Sequence, residues 1–486
     1  MEALVEKIFN YSNGEQVAPI SNQYIDNLDP SIGLAYSRVP DSGQEDLDVA
    51  LAGAKKAFPA WADLSIQERS EILLKIAREI NLSLEPLARA ESIDNGKPIG
   101  LARAVDIPRA AQNMSFFAQA ITQFASESHN MGSLGFNYTL RDPLGVVGCI
   151  SPWNLPLYLF TWKIAPALAM GNCVIAKPSE LTPMTAYLFG KICQDAGLPS
   201  GVLNILHGRG ERIGQKICEH PDIKAISFTG GTNTGKTIAR TAAPLFKKLS
   251  LELGGKNPCL VFADCDFEKT LEQTVKAAFS NQGQICLCGS RIYCEESLFA
   301  EFKQAFVEKV KSIKIGDPLD AETSMGAVIS QSHREKIGSY CDLARHEGGE
   351  ILTGGQALSV EGRCAQGFFF EPTVITGLGQ NCQLNQEEVF GPVVTLQSFS
   401  SEEEAIQLAN DSQYGLSATI WTQHLQRAHR VAKKIDAGII WVNSWLLRDL
   451  RTPFGGMKNS GVGREGGYEA LRFFSEAKNV CIPYEF

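Results

Sequence analysis

From Ser65 onward, apolar residues return at helical spacing. Ile72, Ile76 and Ile80 fall four apart behind Ser65-Ile66-Gln67-Glu68, whose serine and glutamate match a capping box. A second helical stretch through Leu87 and Ala90 is predicted to stop at Asn95-Gly96-Lys97-Pro98, a turn sequence. Upstream, Asn13-Gly14 between short apolar runs predicts a hairpin. After Pro143 the texture changes. Short apolar runs at 146–150, 173–176, 202–206 and 225–228 alternate with helix-length segments, which predicts parallel strands joined by crossover helices: an α/β architecture of the nucleotide-binding kind. A second α/β stretch opens at 258–262 and continues past residue 440. Its first helix is predicted to have Asp266 as N-cap and Leu271, Val275 and Ala278 facing inward, and it leads to Cys286. No repeat, low-complexity tract or disordered linker interrupts the pattern.

Composition narrows the class. A chain of 486 residues has room for two or three domains at roughly 150 residues each. Net charge is −9 and the pI near 5.5, which argues against nucleic acid or an anionic membrane as the main partner. No apolar run approaches the roughly 20 residues that span a bilayer. The start, through Lys7, lacks a basic region followed by an apolar stretch, so no secretory signal is expected. Thirteen cysteines are scattered singly, without framework spacing, which fits a reducing cytoplasm. Cys286, Cys288 and Cys294 lack zinc spacing, and the seven histidines do not cluster, so no metal site is expected.

Two contexts suggest covalent chemistry. Cys286 ends Phe279-Ser280-Asn281-Gln282-Gly283-Gln284-Ile285-Cys286, and Glu252 lies in Leu251-Glu252-Leu253-Gly254-Gly255-Lys256. A free thiol is only a few per cent thiolate near neutrality, so a site using it must supply charge, N–H donors or a base. An arbitrary cysteine is more often a packing residue. What singles out Cys286 is its company: Pro152-Trp153-Asn154, Lys177-Pro178-Ser179-Glu180, Phe228-Thr229-Gly230-Gly231-Thr232-Asn233-Thr234-Gly235, Gly283-Gln284-Ile285-Cys286, Glu387-Glu388-Val389-Phe390-Gly391-Pro392 and Pro453-Phe454-Gly455-Gly456, in that order with the Glu252 segment among them. Together these resemble the NAD(P)-dependent aldehyde dehydrogenase superfamily over nearly the whole chain.

The resemblance implies a thiolate attack by Cys286, an oxyanion hole made of the Asn154 side chain and the Cys286 N–H, and deacylation by water activated by Glu252. It implies NAD as cofactor, with Lys177, Ser179 and Glu180 at the adenosine ribose, a carboxylate there disfavouring a 2′-phosphate. It further implies Trp153, Gly230 and Gly235 along the cofactor, and Glu388 and Phe390 at its nicotinamide end. Gly231 departs from the serine often found in the family, and Lys163 matches no role. Arg109 and Arg451, with Phe454, resemble the branch that oxidises 2-hydroxymuconate and 2-aminomuconate 6-semialdehydes, where two arginines hold the substrate's far carboxylate. Ordinary ion pairs, Arg448 with Asp449 and Arg109 with Asp106, are the competing reading. A broad-specificity or retinal dehydrogenase is the alternative enzyme, and an inactive crystallin-like member the non-enzyme one. Cys288 is read either as packing or as a resolving thiol.

The resemblance also implies a cofactor domain over 1–124 and 143–254, a catalytic domain over 255–455, and a β element from 125–142 and 470–486 that joins subunits into a homodimer or homotetramer.

Overall fold

The computed structural model describes residues 5–485. Residues 1–4, part of the start read above for a leader, and residue 486 lie outside the described residues.

The first large sheet runs in the order Glu15–Val17, Asn10–Ser12, Leu203–Ile205, Cys173–Lys177, Val146–Ile150, Ile223–Thr229, Lys248–Glu252, Gly461–Val462. Its five central strands are parallel, and each of the four apolar runs after Pro143 forms one of them. Val146–Ile150 and Cys173–Lys177 are buried at every position because helices cover both faces of a parallel sheet. The chain builds outward from Val146–Ile150 to Leu203–Ile205, then returns to the other side with Ile223–Thr229. That reversal leaves a crevice beyond the C-terminal ends of Val146–Ile150 and Ile223–Thr229, where open α/β sheets receive ligands. At the far edge, Asn13 (φ 55°) and Gly14 (φ 86°) form the two-residue hairpin turn, both left-handed as such a turn requires. Ser65 and Glu68 cap each other's backbone N–H, and Gly96 (φ 80°) closes the next helix.

The second sheet runs Glu350–Thr353, Thr373–Thr376, Val393–Phe399, Gly289–Glu295, Asn257–Val261, Ser417–Trp421, Ile439–Val442, parallel except for the first strand. Asp266 caps the helix Phe267–Phe279 by accepting the Lys269 N–H. Leu271 and Ala278 are buried, with Val275 packed against the same core.

A third sheet pairs Gly135–Pro143 with Ser128–Asn130 on one side and, over nine residues, with Ser475–Pro483 on the other. The residues just before that last strand belong elsewhere: Ala470, Leu471 and Phe474 pack into the core of the first sheet. The short strand Gly461–Val462 pairs with Leu251 and Glu252, bringing the C-terminal region beside the site. No helix among the described residues is long and apolar enough to cross a membrane.

Candidate active site

After the helix Phe267–Phe279 the chain passes through three successive left-handed residues, Asn281 (φ 51°), Gln282 (φ 58°) and Gly283 (φ 69°). Left-handed non-glycine residues are strained by about 1 kcal/mol or more each, so surrounding bonds must hold them. Buried amides do this. Asn281 Nδ2 donates to the Asn154 carbonyl (3.0 Å), Gln282 Nε2 to the Ala327 carbonyl (2.9 Å), and Gln284 Oε1 accepts the Ile329 N–H (3.0 Å). A side chain on Gly283 would run into the Gly391 carbonyl.

The turn delivers Cys286 to a cavity of about 270 Å³ that Asn154, Glu388 and Phe390 also line. Asn154 is buried and donates from Nδ2 to the Gln284 carbonyl (3.0 Å), two residues before the thiol. That bond uses one of two amide hydrogens and leaves the other free. The Cys286 carbonyl is held by Asn257 Nδ2 at 2.7 Å. Burial pushes the Cys286 thiol up, and the nearby Glu388 and Glu252 push it further, against an opposing pull from Arg448. The resting thiol is therefore protonated near neutrality. Cys288 is buried, and its thiol is pushed up to about 12 by burial.

Glu252 ends the strand Lys248–Glu252. It is 3% exposed, and neither carboxylate oxygen has a hydrogen-bond partner. Burial, then Glu465, raises its pKa well above the ordinary value, opposed by Lys163, Arg448 and Arg464. Gly455 (φ 153°) gives it room, since a Cβ there would lie 2.7 Å from Glu252 Oε1. Lys163, which had no role from sequence, is buried and donates to Glu465 Oε1 (2.7 Å) and Ser227 Oγ (3.3 Å). Its partner lies 302 residues away, so local sequence carried no signal.

A second cavity of about 630 Å³ occupies the crevice of the first sheet. Lys177, Ser179 and Glu180 line it, while Trp153 and Gly230 line both cavities, which therefore adjoin. Lys177 donates to Glu180 Oε2 (3.0 Å) and the Pro178 carbonyl (2.8 Å). Burial alone would raise the Glu180 pKa. The Lys177 charge and N–H donors including Gly210 outweigh it and hold the group below its ordinary value, as a carboxylate. A carboxylate facing the cavity accepts from hydroxyls and repels phosphate. A Cβ on Gly231 would meet nothing within 4 Å, so a serine would fit where glycine stands.

Gly235 lines neither cavity. A Cβ there would lie 2.5 Å from Leu253 Cδ2, so this glycine serves close packing of the helix Thr232–Ala242. Glu388 accepts the Gly255 N–H (2.8 Å), and burial pushes its pKa up to about 7. A side chain on Gly254 would strike the Glu388 carboxylate, which accounts for that glycine. Phe390 meets Trp153 edge-on at 5.2 Å, and its carbonyl lies 2.7 Å from His333 Nε2. His333 and Lys336 also line the Cys286 cavity, and no motif had singled them out.

The arginines rearrange the expectation. Arg451 is 81% exposed and forks onto Asp449 (2.6 and 3.0 Å), an ordinary surface pair that takes it out of the site. Arg448, ranked below Arg451 and Arg109 as a substrate contact and paired with Asp449 in the competing reading, turns inward. Its guanidinium carbon lies 3.9 Å from the Phe454 ring centre and 4.4 Å from that of Trp162, and Nη1 donates to the Tyr158 hydroxyl (3.1 Å). Its Nε and Nη2 are buried without a partner. Tyr158, Phe454 and Cys286 belong to one apolar cluster with Leu155, Leu159, Trp441 and Trp445. The Arg109 guanidinium carbon lies 5.7 Å from the centre of the Tyr158 ring; Asp106, its partner in the ion-pair reading, is buried against Lys97. Sequence proximity misled here: a three-residue offset in an irregular loop decides which arginine faces in.

The aldehyde dehydrogenase family matches residues 17–480. The 2-aminomuconic semialdehyde dehydrogenase of Mus musculus is 50% identical over 466 residues, 95% of this chain and 96% of that one. The 2-hydroxymuconic semialdehyde dehydrogenase of Pseudomonas sp. (strain CF600) is 45% identical, covering 98% of this chain and 100% of its own. Among solved structures, an aldehyde dehydrogenase from Bacillus cereus in complex with NAD+ superposes with a TM-score of 0.96 at 36% identity, over 99% of this chain and 97% of that one. The chain belongs to the aldehyde dehydrogenase family.

Proposed function

We propose that this protein oxidises a carboxylated unsaturated semialdehyde, 2-aminomuconate or 2-hydroxymuconate 6-semialdehyde, to the acid with NAD. The observation that carries the substrate is Arg448: a guanidinium with two unpartnered buried nitrogens, beside Phe454 and Tyr158 in the apolar cluster that includes the nucleophile. Unpaired buried donors are costly, and a carboxylate would satisfy two of them in one fork. Relatives at 45–50% identity named for these two semialdehydes support the same reading. A wholly apolar substrate such as retinal suits the apolar cluster of Leu155, Leu159 and Trp441 near Cys286 but leaves Arg448 unpaired.

The Cys286 thiol gives its proton to water, and the sulfur adds as thiolate to the aldehyde carbon, whose oxygen takes the negative charge. The free Asn154 amide hydrogen and the Cys286 N–H receive that oxyanion. NAD would supply the hydride acceptor, held by the Lys177–Glu180 pair at one ribose and the Glu388 carboxylate at the other across the two adjoining cavities. Loss of hydride from the carbon restores the carbonyl as a Cys286 thioester. Glu252 takes a proton from water, the resulting hydroxide adds, and the carbon–sulfur bond breaks to free the acid and the thiolate. The cofactor domain is read as 1–124 and 143–254, the catalytic domain as 255–455. The sheet built on Gly135–Pro143 and Ser475–Pro483 has an open edge that suits pairing with a second copy, giving a homodimer or homotetramer in the cytoplasm. Steady-state kinetics on both semialdehydes and on retinal test the substrate assignment; a preference for retinal would overturn it.

A further inference from the structure

A buried ion cluster joins the substrate-side helix to Asn154, and the reaction above does not use it. Lys97 Nζ donates to Asp106 Oδ2 (2.8 Å) and to the Asn154 carbonyl (3.1 Å), with Glu91 Oε1 at 3.5 Å. All three side chains are wholly buried. The second Glu91 oxygen accepts the Leu157 N–H (3.4 Å), three residues past Asn154. The Asn154 carbonyl also accepts from Asn281 Nδ2 (3.0 Å), in the turn that carries Cys286. It is therefore a junction between the nucleophile turn and the ion cluster. Asp106 ends the π-helical turn Ala102–Asp106, three residues before Arg109. Such turns are frequent at functional sites.

Stability does not explain the cluster, because well-packed apolar residues commonly do as well as a buried ion set. Two acids share one cation. Burial pushes Glu91 up to about 7 and raises Asp106 as well, against the opposing charge of Lys97.

We propose that Lys97 is a positioning residue for the oxidation. It fixes the Asn154 backbone so that the free amide hydrogen is aimed at the aldehyde oxygen. Through Asp106 it ties that aim to the Arg109 helix, setting the reacting end of the substrate in register with the carboxylate end. This rests on the reading of Asn154 as oxyanion donor.

The test is a double-mutant cycle on the full chain with NAD and 2-hydroxymuconate 6-semialdehyde, reading single-turnover hydride transfer and NAD affinity. Lys97→Met with Asp106→Asn removes the clamp and leaves Glu91 able to stay neutral. It is expected to slow hydride transfer about 10-fold with unchanged NAD affinity, but less than about 2-fold in an Asn154→Ala background, because the two act as a unit. Equal losses in both backgrounds overturn the role of Lys97. An Asn154→Ala rate equal to that of the parent overturns the oxyanion reading instead. Should the double variant not fold, Asp106→Leu alone keeps a balanced Lys97–Glu91 pair and removes the acceptor that ties Lys97 to the Arg109 helix. Its KM should rise several-fold for the carboxylated aldehyde and stay constant for a neutral one. An unchanged KM for both overturns the proposal.

Discussion

Replacing Arg448 by methionine separates recognition from chemistry. The arginine stem and plane rest on Phe454 and Trp162, and methionine keeps an apolar, polarizable chain of similar reach against those rings. What it removes is the charge, two unpartnered donors and the Nη1 bond to the Tyr158 hydroxyl, the last being lost for every substrate alike. A hydrogen bond to a charged group contributes about 1.5–3 kcal/mol. Two donors sharing one carboxylate, at a half-buried position, reasonably total about 2–3 kcal/mol. At about 1.4 kcal/mol per factor of ten, kcat/KM for a muconic semialdehyde should fall roughly 30- to 150-fold. A neutral aldehyde of the same length should change by less than about 3-fold, since no partner is lost in its transition state. Arg451→Met supplies the contrast: its pair with Asp449 is exposed and screened by solvent, and kcat/KM should stay within about 2-fold on both substrates. NADH formation on the paired substrates measures all of this. Equal loss on both aldehydes in Arg448→Met, or a larger loss in Arg451→Met, would refute the reasoning.

Glu252→Gln should retain the first-turnover burst of NADH but accumulate a Cys286 thioester visible by intact-protein mass spectrometry; undiminished steady turnover would remove Glu252 from deacylation. Only the deprotonated carboxylate can accept a proton, and the Glu252 pKa is raised, so the deacylation rate should climb with pH through a midpoint above the usual carboxylate range; a flat profile contradicts the assignment. Alkylation of Cys286 by iodoacetamide in the cofactor-free protein should be slow at neutral pH and still rising at alkaline pH, because burial, Glu388 and Glu252 all oppose the thiolate. Glu180→Gln should weaken NAD by about 10-fold or less while narrowing its advantage over NADP, read by titrating both cofactors; an unchanged NAD/NADP ratio would take Glu180 away from the ribose.

The fold was legible wherever one local rule sufficed. Four apolar runs became four parallel strands, Asp266 capped its helix, and Asn13-Gly14 turned its hairpin. Of the site residues embedded in motifs, Trp153, Asn154, Lys177, Ser179, Glu180, Gly230, Cys286, Glu388 and Phe390 line two adjoining cavities, while Glu252 and Gly235 line neither. What sequence could not convey depends on long-range partners. The charge environment of Glu252 includes Glu465, Lys163 and Arg448, none near it in the chain. Gly235 looked like a phosphate-loop glycine because the motif does not say which face of the helix Leu253 will occupy. The arginine swap has the same origin. Between the strand Ile439–Val442 and Gly455 no periodic element fixes orientation, and Trp441 and Trp445 anchor the loop through the Leu447 and Leu287 carbonyls. Once those indoles are bonded, Arg448 turns toward Phe454 and Arg451 toward solvent.

The claim that this site selects an aldehyde by its distant carboxylate is tested most directly by one comparison: kcat/KM for 2-aminomuconate or 2-hydroxymuconate 6-semialdehyde against an uncharged aldehyde of matching length and unsaturation, each followed by NADH production in the unsubstituted protein. The account predicts a preference of at least about 30-fold for the carboxylated substrate, the lower end of what the Arg448 contacts supply. Equal efficiency on the two, or a preference for the uncharged one, would contradict it.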